Sequence, residues 1–310
     1  MLKLPFFEEL NHSYNILLAG AGGGHDIYSA LPLYFMLQKM KKRILLASYS
    51  FTRIERTKAD EICDNCSMVT HQTKSPENEF YFPEKWLADW FYEINHDTPI
   101  YTFHRVGPSR LLQAYQDLQK ILQFDTVILV DGGSDALMKG DELGIGSAAE
   151  DISSIITVDK LKIKHTYLCC LGLGIDAYDG VRDSDSLKAV NELQNLNGCK
   201  GAILLMKNMT GVNEYIQAVK HANRNSEKNQ SLVQNSIISA LEGNYGMQKI
   251  GGKRFTQIYV HSLMQILWIF DLSIIRNRLL YPTMDNLNSL YEVEREIKDF
   301  RTNLKNKKTK

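Results

Sequence analysis

The chain has 310 residues, of which 44% are hydrophobic, and its 36 basic (Lys and Arg) side chains balance its 36 acidic (Asp and Glu) ones. This length and hydrophobicity suffice to bury the core of one large α/β domain, whereas zero net charge argues against a protein that binds nucleic acids or anionic membranes. The most apolar window, residues 263–281, contains charged side chains, so we interpret it as a buried helix rather than a transmembrane segment.

The N-terminal segment and the cysteines indicate a cytoplasmic protein. Residues 1–10 contain charged side chains and lack the apolar stretch that a signal peptide needs. The five cysteines are odd in number, and Cys169 and Cys170 are adjacent in a strand-like run, which favours reduced thiols. Cys63 and Cys66 have the spacing of a zinc or redox pair, but without a second such pair we interpret them as core thiols.

Strand-like and helix-like patterns alternate from the start of the chain, which is typical of α/β proteins. The first apolar strand is expected at residues 16–19, followed by a helix over residues 27–41 and a second strand over residues 43–50. We interpret the aromatic segment at residues 80–92 as core or lid packing rather than as a surface that stacks on bases. Residues 109–123 have the spacing of an amphipathic helix.

The alternation continues beyond this helix. Strands are expected at residues 125–130, 164–171 and 201–206, and helices at residues 186–196, 212–222, 231–241 and 255–277, with a further helix that begins at Ser147 and has Glu150 at capping-box spacing. The sequence therefore predicts an α/β fold, a Rossmann-like, mostly parallel sheet covered by helices, with a helical C-terminal third. Residues 1–300 are expected to form one domain and residues 301–310 a disordered basic tail.

Three apolar strand-like runs end directly in glycines followed by an aspartate, in residues 20–26, 131–135 and 172–176. The carboxyl ends of parallel strands share one edge of a sheet, where open α/β sheets bind their ligands. Glycine allows the backbone to approach a ligand closely. The sequence thus predicts a small-molecule site at this edge.

Acidic side chains concentrate at the same strand ends. We expect Asp26, Asp131 and Asp176 to be metal ligands. We expect Asp135, Asp141 and Glu142 to be catalytic groups. Carboxylates that converge need either a cation or raised pKa values, and oxygen ligands favour Mg²⁺ or Mn²⁺. Asp141 or Glu142 is the expected general base. The alternative is that individual acids cap helices or form turns.

The glycines do not form a dehydrogenase fingerprint. His25 stands where the third glycine of G-x-G-x-x-G is required, and the second strand ends without the acid that binds a ribose hydroxyl, so we expect no NAD-dependent dehydrogenase. Glycine-rich backbone before a helix remains suited to binding phosphate. The expected ligand-binding residues are Gly22, Gly23, Gly24, Gly132, Gly133, Ser134, Gly146, Gly174 and Asn244.

A nucleophilic serine is a third interpretation of the loop after the strand at residues 125–130. Residues 132–136 approximate the G-x-S-x-G elbow of serine hydrolases, with Ser134 as the nucleophile and Ala136 in place of the last glycine. None of the eight histidines is singled out as its base.

Taken together, these motifs resemble an archaeal and bacterial family known as domain of unknown function 1152. The resemblance covers most of the chain and rests on residues 22–26, 131–142, 172–176, 242–246 and 268–271. It implies a Rossmann-like fold and a small-molecule site, but no activity. His25 departs from the small residue expected at its position.

The leading hypothesis is an enzyme that binds a nucleotide or another phosphorylated, ribose-like molecule and cleaves or transfers a group with a divalent cation. The alternatives are a non-catalytic sensor or binding subunit with the same pocket, and the serine hydrolase. We expect no nucleic-acid or membrane partner, and the sequence leaves oligomerisation open.

Overall fold

The computed structural model describes residues 3–75, 81–226, 229–252 and 255–308. The strands within these ranges are β1 (Asn15–Gly20), β2 (Arg43–Tyr49), β3 (Asp60–Cys63), β4 (Cys66–Val69), β5 (Ile100–Phe103), β6 (Thr126–Gly132), β7 (His165–Leu171), β8 (Cys199–Leu204), β9 (Gly246–Ile250), β10 (Thr256–Val260) and β11 (Ile266–Asp271). The helices are α1 (Pro5–Glu9), α2 (Asp26–Ser29), α3 (Leu31–Lys39), α4 (Pro83–Glu93), α5 (Pro108–Leu122), α6 (Ala148–Lys160), α7 (Asp183–Asn195), α8 (Val212–Asn225), α9 (Leu232–Leu241), α10 (Leu272–Arg278) and α11 (Leu290–Lys308). None of the described helices combines the length and apolar character that crossing a membrane requires.

Within the described residues, nine strands form one sheet in the order β3-β4-β5-β2-β1-β6-β7-β11-β8, and β9 pairs with β10 in a separate hairpin. The five neighbours β5, β2, β1, β6 and β7 are parallel, whereas β4 and β11 run antiparallel to their neighbours. The chain first builds outward from β1 to β2 and β5, and then returns to the other side of β1 at β6. The predicted α/β fold with a mostly parallel sheet is therefore confirmed.

The core lies on both faces of the sheet because alternate side chains of a strand point to opposite sides. Leu18 and Cys169 pack with α2, α3, α8 and α9 on one face, while Leu17 and Cys170 pack with α5, α6 and α7 on the other. The sheet is thus the middle layer between two layers of helices, and the adjacent cysteines face opposite layers, as predicted.

The prediction of a helix at residues 255–277 was wrong. These residues form β10, a 3₁₀ turn (Ser262–Gln265), β11 and most of α10. Strand β11 is inserted between β7 and β8, with Leu267, Ile269 and Phe270 buried. A strand buried on both faces has an apolar run that periodicity cannot distinguish from a buried helix. The C-terminal third accordingly contains strands as well as helices, and residues 263–281 are not one buried helix.

Helix boundaries also differ from the prediction at two places. The helix expected over residues 27–41 is divided into α2 and α3, with Pro32 in the first turn of α3, because proline cannot continue a helix without losing a hydrogen bond. Helix α7 begins at Asp183, three residues before the start expected at residue 186, and Asp185 within its first turn pairs with Arg182. In the aromatic segment α4 begins at Pro83, and Phe80 lies outside the described residues.

The expected tail is instead the end of α11, which continues to Lys308, while residues 309–310 lie outside the described ranges. Arg301 donates hydrogen bonds to the backbone carbonyls of Gly140, Glu142 and Leu143, at 3.1, 3.0 and 2.8 Å. Val293 of the same helix packs against α6. Helix α6 therefore lies between the sheet and α11, and it is buried on both of these sides.

We expect the Val293→Ala variant to lower the free energy of unfolding by about 2 kcal/mol, since Val293 is fully buried and its side chain contributes about 1.5–3 kcal/mol by burial. Chemical denaturation measures this loss. The matched control is Tyr291→Ala on the same helix, where the side chain is 71% exposed and a change within about 0.5 kcal/mol is expected. Equal losses in both variants would contradict the packing of α11 on α6.

Candidate acidic site at the strand ends

A cavity of about 300 Å³ lies beyond the carboxyl ends of β1 and β6, where the strand order reverses. Its walls are the loop between β1 and α2, the end of β6, the first turn of α6 and the N-terminal end of α9. Six acidic side chains line it: Asp26, Asp131, Asp135, Glu150, Asp151 and Asp176. The structure thus confirms that carboxylates converge at this edge, although not with the membership that the sequence predicts.

Three of the acids are positioned by the strands themselves. Asp131 is the penultimate residue of β6 and pairs in register with Cys170 of β7. Asp26 begins α2 just beyond β1, and its Oδ2 accepts a 2.8 Å hydrogen bond from the Gly22 N–H. Asp176 lies in the 3₁₀ turn after β7 (residues 175–179), and its Oδ2 accepts a 2.6 Å hydrogen bond from the Ser134 N–H.

Gly133 is required where β6 meets the Asp176 turn. Its φ is +153°, and a Cβ atom there would lie 2.8 Å from both carboxylate oxygens of Asp176. A larger residue would therefore push the acid away from the Ser134 N–H that holds it. This glycine supports the position of a carboxylate rather than contacting a ligand itself.

The first turn of α6 brings two acids to the cavity that were not predicted to lie there. Glu150 was predicted to cap the helix, and Asp151 had no predicted role. Ser147 donates its N–H and Oγ–H to Asp135 Oδ2, at 2.9 and 3.4 Å, instead of capping the helix with its side chain. Glu150 accepts a 2.8 Å hydrogen bond from Arg105. The capping-box prediction was therefore wrong, and the side chains of Ser147 and Glu150 line the acidic cavity instead.

Asp26, Asp131 and Asp151 form a group suited to a metal ion. One carboxylate oxygen of each lies within 4.8 Å of the corresponding oxygens of the other two. Asp131 and Asp151 are 2% and 3% exposed, and among the described residues no hydrogen-bond partner is found for Asp131 Oδ2 or Asp151 Oδ1. Buried carboxylate oxygens are costly unless they are protonated or paired with a donor or a cation.

Burial raises the pKa of every aspartate in the cavity. The pKa of Asp26 rises to about 7 and that of Asp135 to about 6, chiefly through loss of solvent, while hydrogen bonds from the Gly22 and Ser147 N–H groups partly oppose the rise. The pKa values of Asp131, Asp151 and Asp176 are raised well above their usual range by burial and by the neighbouring carboxylates. Without a cation, the site therefore retains protons at pH values where free aspartates are ionised.

The remaining wall of the cavity is aromatic and polar. His25 Nδ1 lies 3.0 Å from the hydroxyl of Tyr81, and burial lowers the pKa of His25 to about 4, so its imidazole is neutral near pH 7. Phe51 and Tyr178 also line the cavity and are 40% and 51% exposed, respectively. His25 lies outside the group of three aspartates suited to a metal.

Asp141 and Glu142, expected to be catalytic, do not reach this cavity. They line a separate cavity of about 280 Å³ together with Lys139 and Arg278. Glu142 accepts hydrogen bonds from the N–H groups of Lys139 and Gly140, at 3.1 and 2.9 Å, and so closes a turn. The chain leaves the sheet edge after residue 137, and the prediction that these two acids join the cluster was wrong.

The predicted ligand-binding residues are divided between the cavity and its surroundings. Gly22, Gly23 and Gly132 line it. Gly24 packs against Glu84 instead, Gly174 packs against His261, Gly146 packs behind Asp135, and Asn244 donates a 3.2 Å hydrogen bond to Ser239 Oγ in a turn after α9. The Gly22 N–H is already bonded to Asp26 and α2 has only four residues, so the glycine loop lacks the free helix terminus expected to bind phosphate.

Ser134 is fully buried and does not line the cavity. Its Oγ lies 3.0 Å from Ser186 Oγ and 3.3 Å from Asp176 Oδ2, and the described structure gives it no histidine partner. A serine nucleophile needs a base within hydrogen-bond reach and access to substrate. The geometry therefore does not favour the serine-hydrolase alternative.

Asp151 lines the cavity but was not among the residues predicted from the sequence. The sequence does contain a feature that predicts its burial. Residues 148–158 are apolar on several faces of one helix, and all of them are buried. A helix buried all round has no solvated face for a charge. Acids in its first turn should therefore have been assigned to the site.

A family model described as “Protein of unknown function (DUF1152)” matches residues 17–303 and confirms the resemblance carried by the motifs. Neither a curated protein nor a solved structure matches the chain. The matched region includes the strand ends, α6 and the N-terminal end of α9, and hence the whole acidic cavity.

Proposed function

The chain belongs to this DUF1152 family, and from its site we propose that it is an enzyme that uses Mg²⁺ or Mn²⁺ to cleave or transfer a group on a nucleotide or another phosphorylated, ribose-like small molecule. Asp26, Asp131 and Asp151 would hold the cation. A non-catalytic sensor with the same pocket is the alternative, and it differs from the enzyme only in the absence of turnover.

The observation that carries the proposal is a pair of buried oxygens, Asp131 Oδ2 and Asp151 Oδ1, for which the described residues supply no hydrogen-bond donor. The carboxylates of Asp131, Asp151 and Asp26 each place one oxygen within 4.8 Å of the others. A divalent cation would neutralise charge at a position where three carboxylates meet. Oxygen-only donor sets favour Mg²⁺ or Mn²⁺ over zinc. A bound cation would in turn attract the phosphate oxygens of a substrate and polarise a phosphoryl group.

The topology supports a small-molecule site. The parallel strands have the order β5-β2-β1-β6-β7, which corresponds to the 3-2-1-4-5 order of a Rossmann-like sheet, and we include that classification in the proposal. In such sheets ligands bind where the strand order reverses, and the acidic cavity lies there. A volume of about 300 Å³ is at the small end for ligand pockets and suits a mononucleotide or sugar phosphate better than a dinucleotide.

Asp135 is the residue best suited to act as a general base. It lines the cavity beside the proposed cation site, and burial raises the pKa of its carboxyl to about 6. A general base is most effective when its pKa lies near the pH at which the enzyme works. In hydrolysis it would take a proton from the attacking water as the new bond to phosphorus forms and the bond to the leaving oxygen breaks. Phe51 and Tyr178, at the open side, provide ring faces for a planar base.

The test is a thermal-shift panel of nucleotides and sugar phosphates with Mg²⁺, with Mn²⁺ and with chelator, followed by ³¹P NMR of each ligand that binds. We expect the cation alone to stabilise the protein and a phosphorylated ligand to add about 2.7 kcal/mol at 100 times its Kd, only when the cation is present. Asp141→Asn, in the other cavity, is the control and should respond as the wild type does.

Each result of this panel decides between the hypotheses. Cation-dependent binding with turnover supports the enzyme, and cation-dependent binding of an unaltered ligand supports the sensor. A protein that neither cation stabilises lacks the metal site, and the proposal fails.

A further inference from the structure

The N-terminal end of α9 forms one wall of the acidic cavity, through Ser231, Leu232 and Val233. Ser231 is the N-cap, and its side chain accepts a hydrogen bond from the Gln234 N–H. Among the described residues, no acceptor is found for the backbone N–H groups of Leu232 and Val233. The N-terminal end of this ten-residue helix, where the positive end of its dipole lies, therefore forms part of the cavity wall.

Gln234 fixes this helix end relative to the acids. It is fully buried, and its Nε2 donates hydrogen bonds to the carbonyl of His25 and to Ser29 Oγ, at 3.1 and 2.9 Å. Its Oε1 accepts a 2.8 Å hydrogen bond from the hydroxyl of Tyr215. The end of α9 is therefore held to the segment that contains Asp26, and its donors are positioned before any ligand binds.

The same cavity carries an independent sign of a ligand. Asp131 and Asp151 line it, and no residue in the described part of the chain donates a hydrogen bond to Asp131 Oδ2 or Asp151 Oδ1. The cavity thus combines carboxylate oxygens that a cation would neutralise with, on another wall, backbone donors suited to an anion. A phosphate group bound to a cation satisfies both walls at once.

We infer that the phosphoryl group of the substrate bridges the cation and the N-terminal end of α9, where the N–H groups of Leu232 and Val233 donate to its oxygens. This inference rests on the proposed function, which supplies the cation held by Asp26, Asp131 and Asp151. It assigns phosphate binding to α9, a ten-residue helix, rather than to the glycine loop between β1 and α2, because α2 has only four residues and the Gly22 N–H already donates to Asp26. The substrate class is thereby narrowed to molecules with a terminal phosphate that enters the cavity first.

The test compares Leu232→Pro with Leu232→Ala, using Mn²⁺ and inorganic phosphate as probes. Leu232 is the first helical residue and Ser231 is extended (φ −66°, ψ 120°), so proline fits there and removes only the N–H donor. Both variants lose the leucine side chain, so their difference isolates the donor. We expect phosphate, detected by Mn²⁺-enhanced ³¹P relaxation, to bind the proline variant about 10-fold or more weakly than the alanine variant.

Mn²⁺ affinity, measured by electron paramagnetic resonance, is expected to be the same in both variants and in the wild type. Equal phosphate affinity in the two variants, with Mn²⁺ bound, would overturn the bridge and leave the metal site standing. A wild-type protein that binds no Mn²⁺ would overturn the proposed function and the bridge together.

A second measurement needs no variant. In the Mg²⁺-loaded wild-type protein labelled with ¹⁵N-leucine and ¹⁵N-valine, phosphate should shift the amide resonances of Leu232 and Val233. Unshifted resonances at saturating phosphate would overturn the inference.

Discussion

The Asp151→Asn variant is expected to bind Mn²⁺ at least about 100-fold more weakly than the wild type, because losing even an outer partner of a metal ligand costs about 10–100-fold. Asparagine has nearly the same shape, and it replaces an ionisable group whose pKa is raised by burial and by neighbouring carboxylates with a group that carries no charge. The metal-free variant should therefore unfold at the same or a higher temperature than the wild type. Titration calorimetry and thermal melts with chelator measure the two effects separately.

Two further asparagine variants serve as controls. Asp176 is a metal ligand according to the sequence, but its Oδ2 already accepts hydrogen bonds from the N–H and Oγ–H of Ser134, so Asp176→Asn should weaken Mn²⁺ binding less than Asp151→Asn does. Asp141→Asn should bind Mn²⁺ like the wild type, since Asp141 lines the other cavity. Loss of Mn²⁺ binding in Asp176→Asn but not in Asp151→Asn would contradict the assignment and restore the ligand set that the sequence predicts.

Much of the fold could be predicted from local pattern. The strands predicted to end at residues 19, 130 and 171 end at residues 20, 132 and 171, because a buried parallel strand is a continuous apolar run that glycines interrupt. Strand β11 could not be found this way. Nearly 100 residues of chain separate β11 from its partner β7. Local sequence does not distinguish a strand that is buried on both faces from a buried helix.

The site could be predicted as far as strand topology determines it. Asp26, Asp131 and Asp176 follow strands that are neighbours, so their convergence follows from parallel pairing alone. Asp141 was assigned to the site because it is close to Asp131 in sequence, but the Arg301 contacts that hold residues 140–143 elsewhere depend on a helix far along the chain. Predicting that Asp151 lies at the site would have required knowing where α6 begins relative to the sheet.

Without a divalent cation, the protein is expected to lose stability as the pH rises from 5 to 8. Burial raises the pKa of Asp26 to about 7 and that of Asp135 to about 6, whereas an aspartate in the unfolded chain titrates near 3.9. Above pH 4 the folded state therefore holds more protons than the unfolded state, and stability falls until both carboxyls are ionised near pH 8. Ionisation of these two carboxyls lowers the free energy of unfolding by about 3–4 kcal/mol between pH 5 and 8.

Thermal melts with chelator should show this loss as a decrease in Tm of about 5 °C for a chain of this size. Saturating Mn²⁺ should reverse it, because the cation binds the ionised carboxylates and its affinity rises as their protons leave. The Asp26→Asn variant should show a shallower decrease, since an amide at that position does not titrate, while Asp141→Asn should retain the full one. A Tm that rises with pH in the chelated wild type would mean that the carboxylates ionise readily in the folded protein, and the electrostatic reason for a cation at this site would disappear.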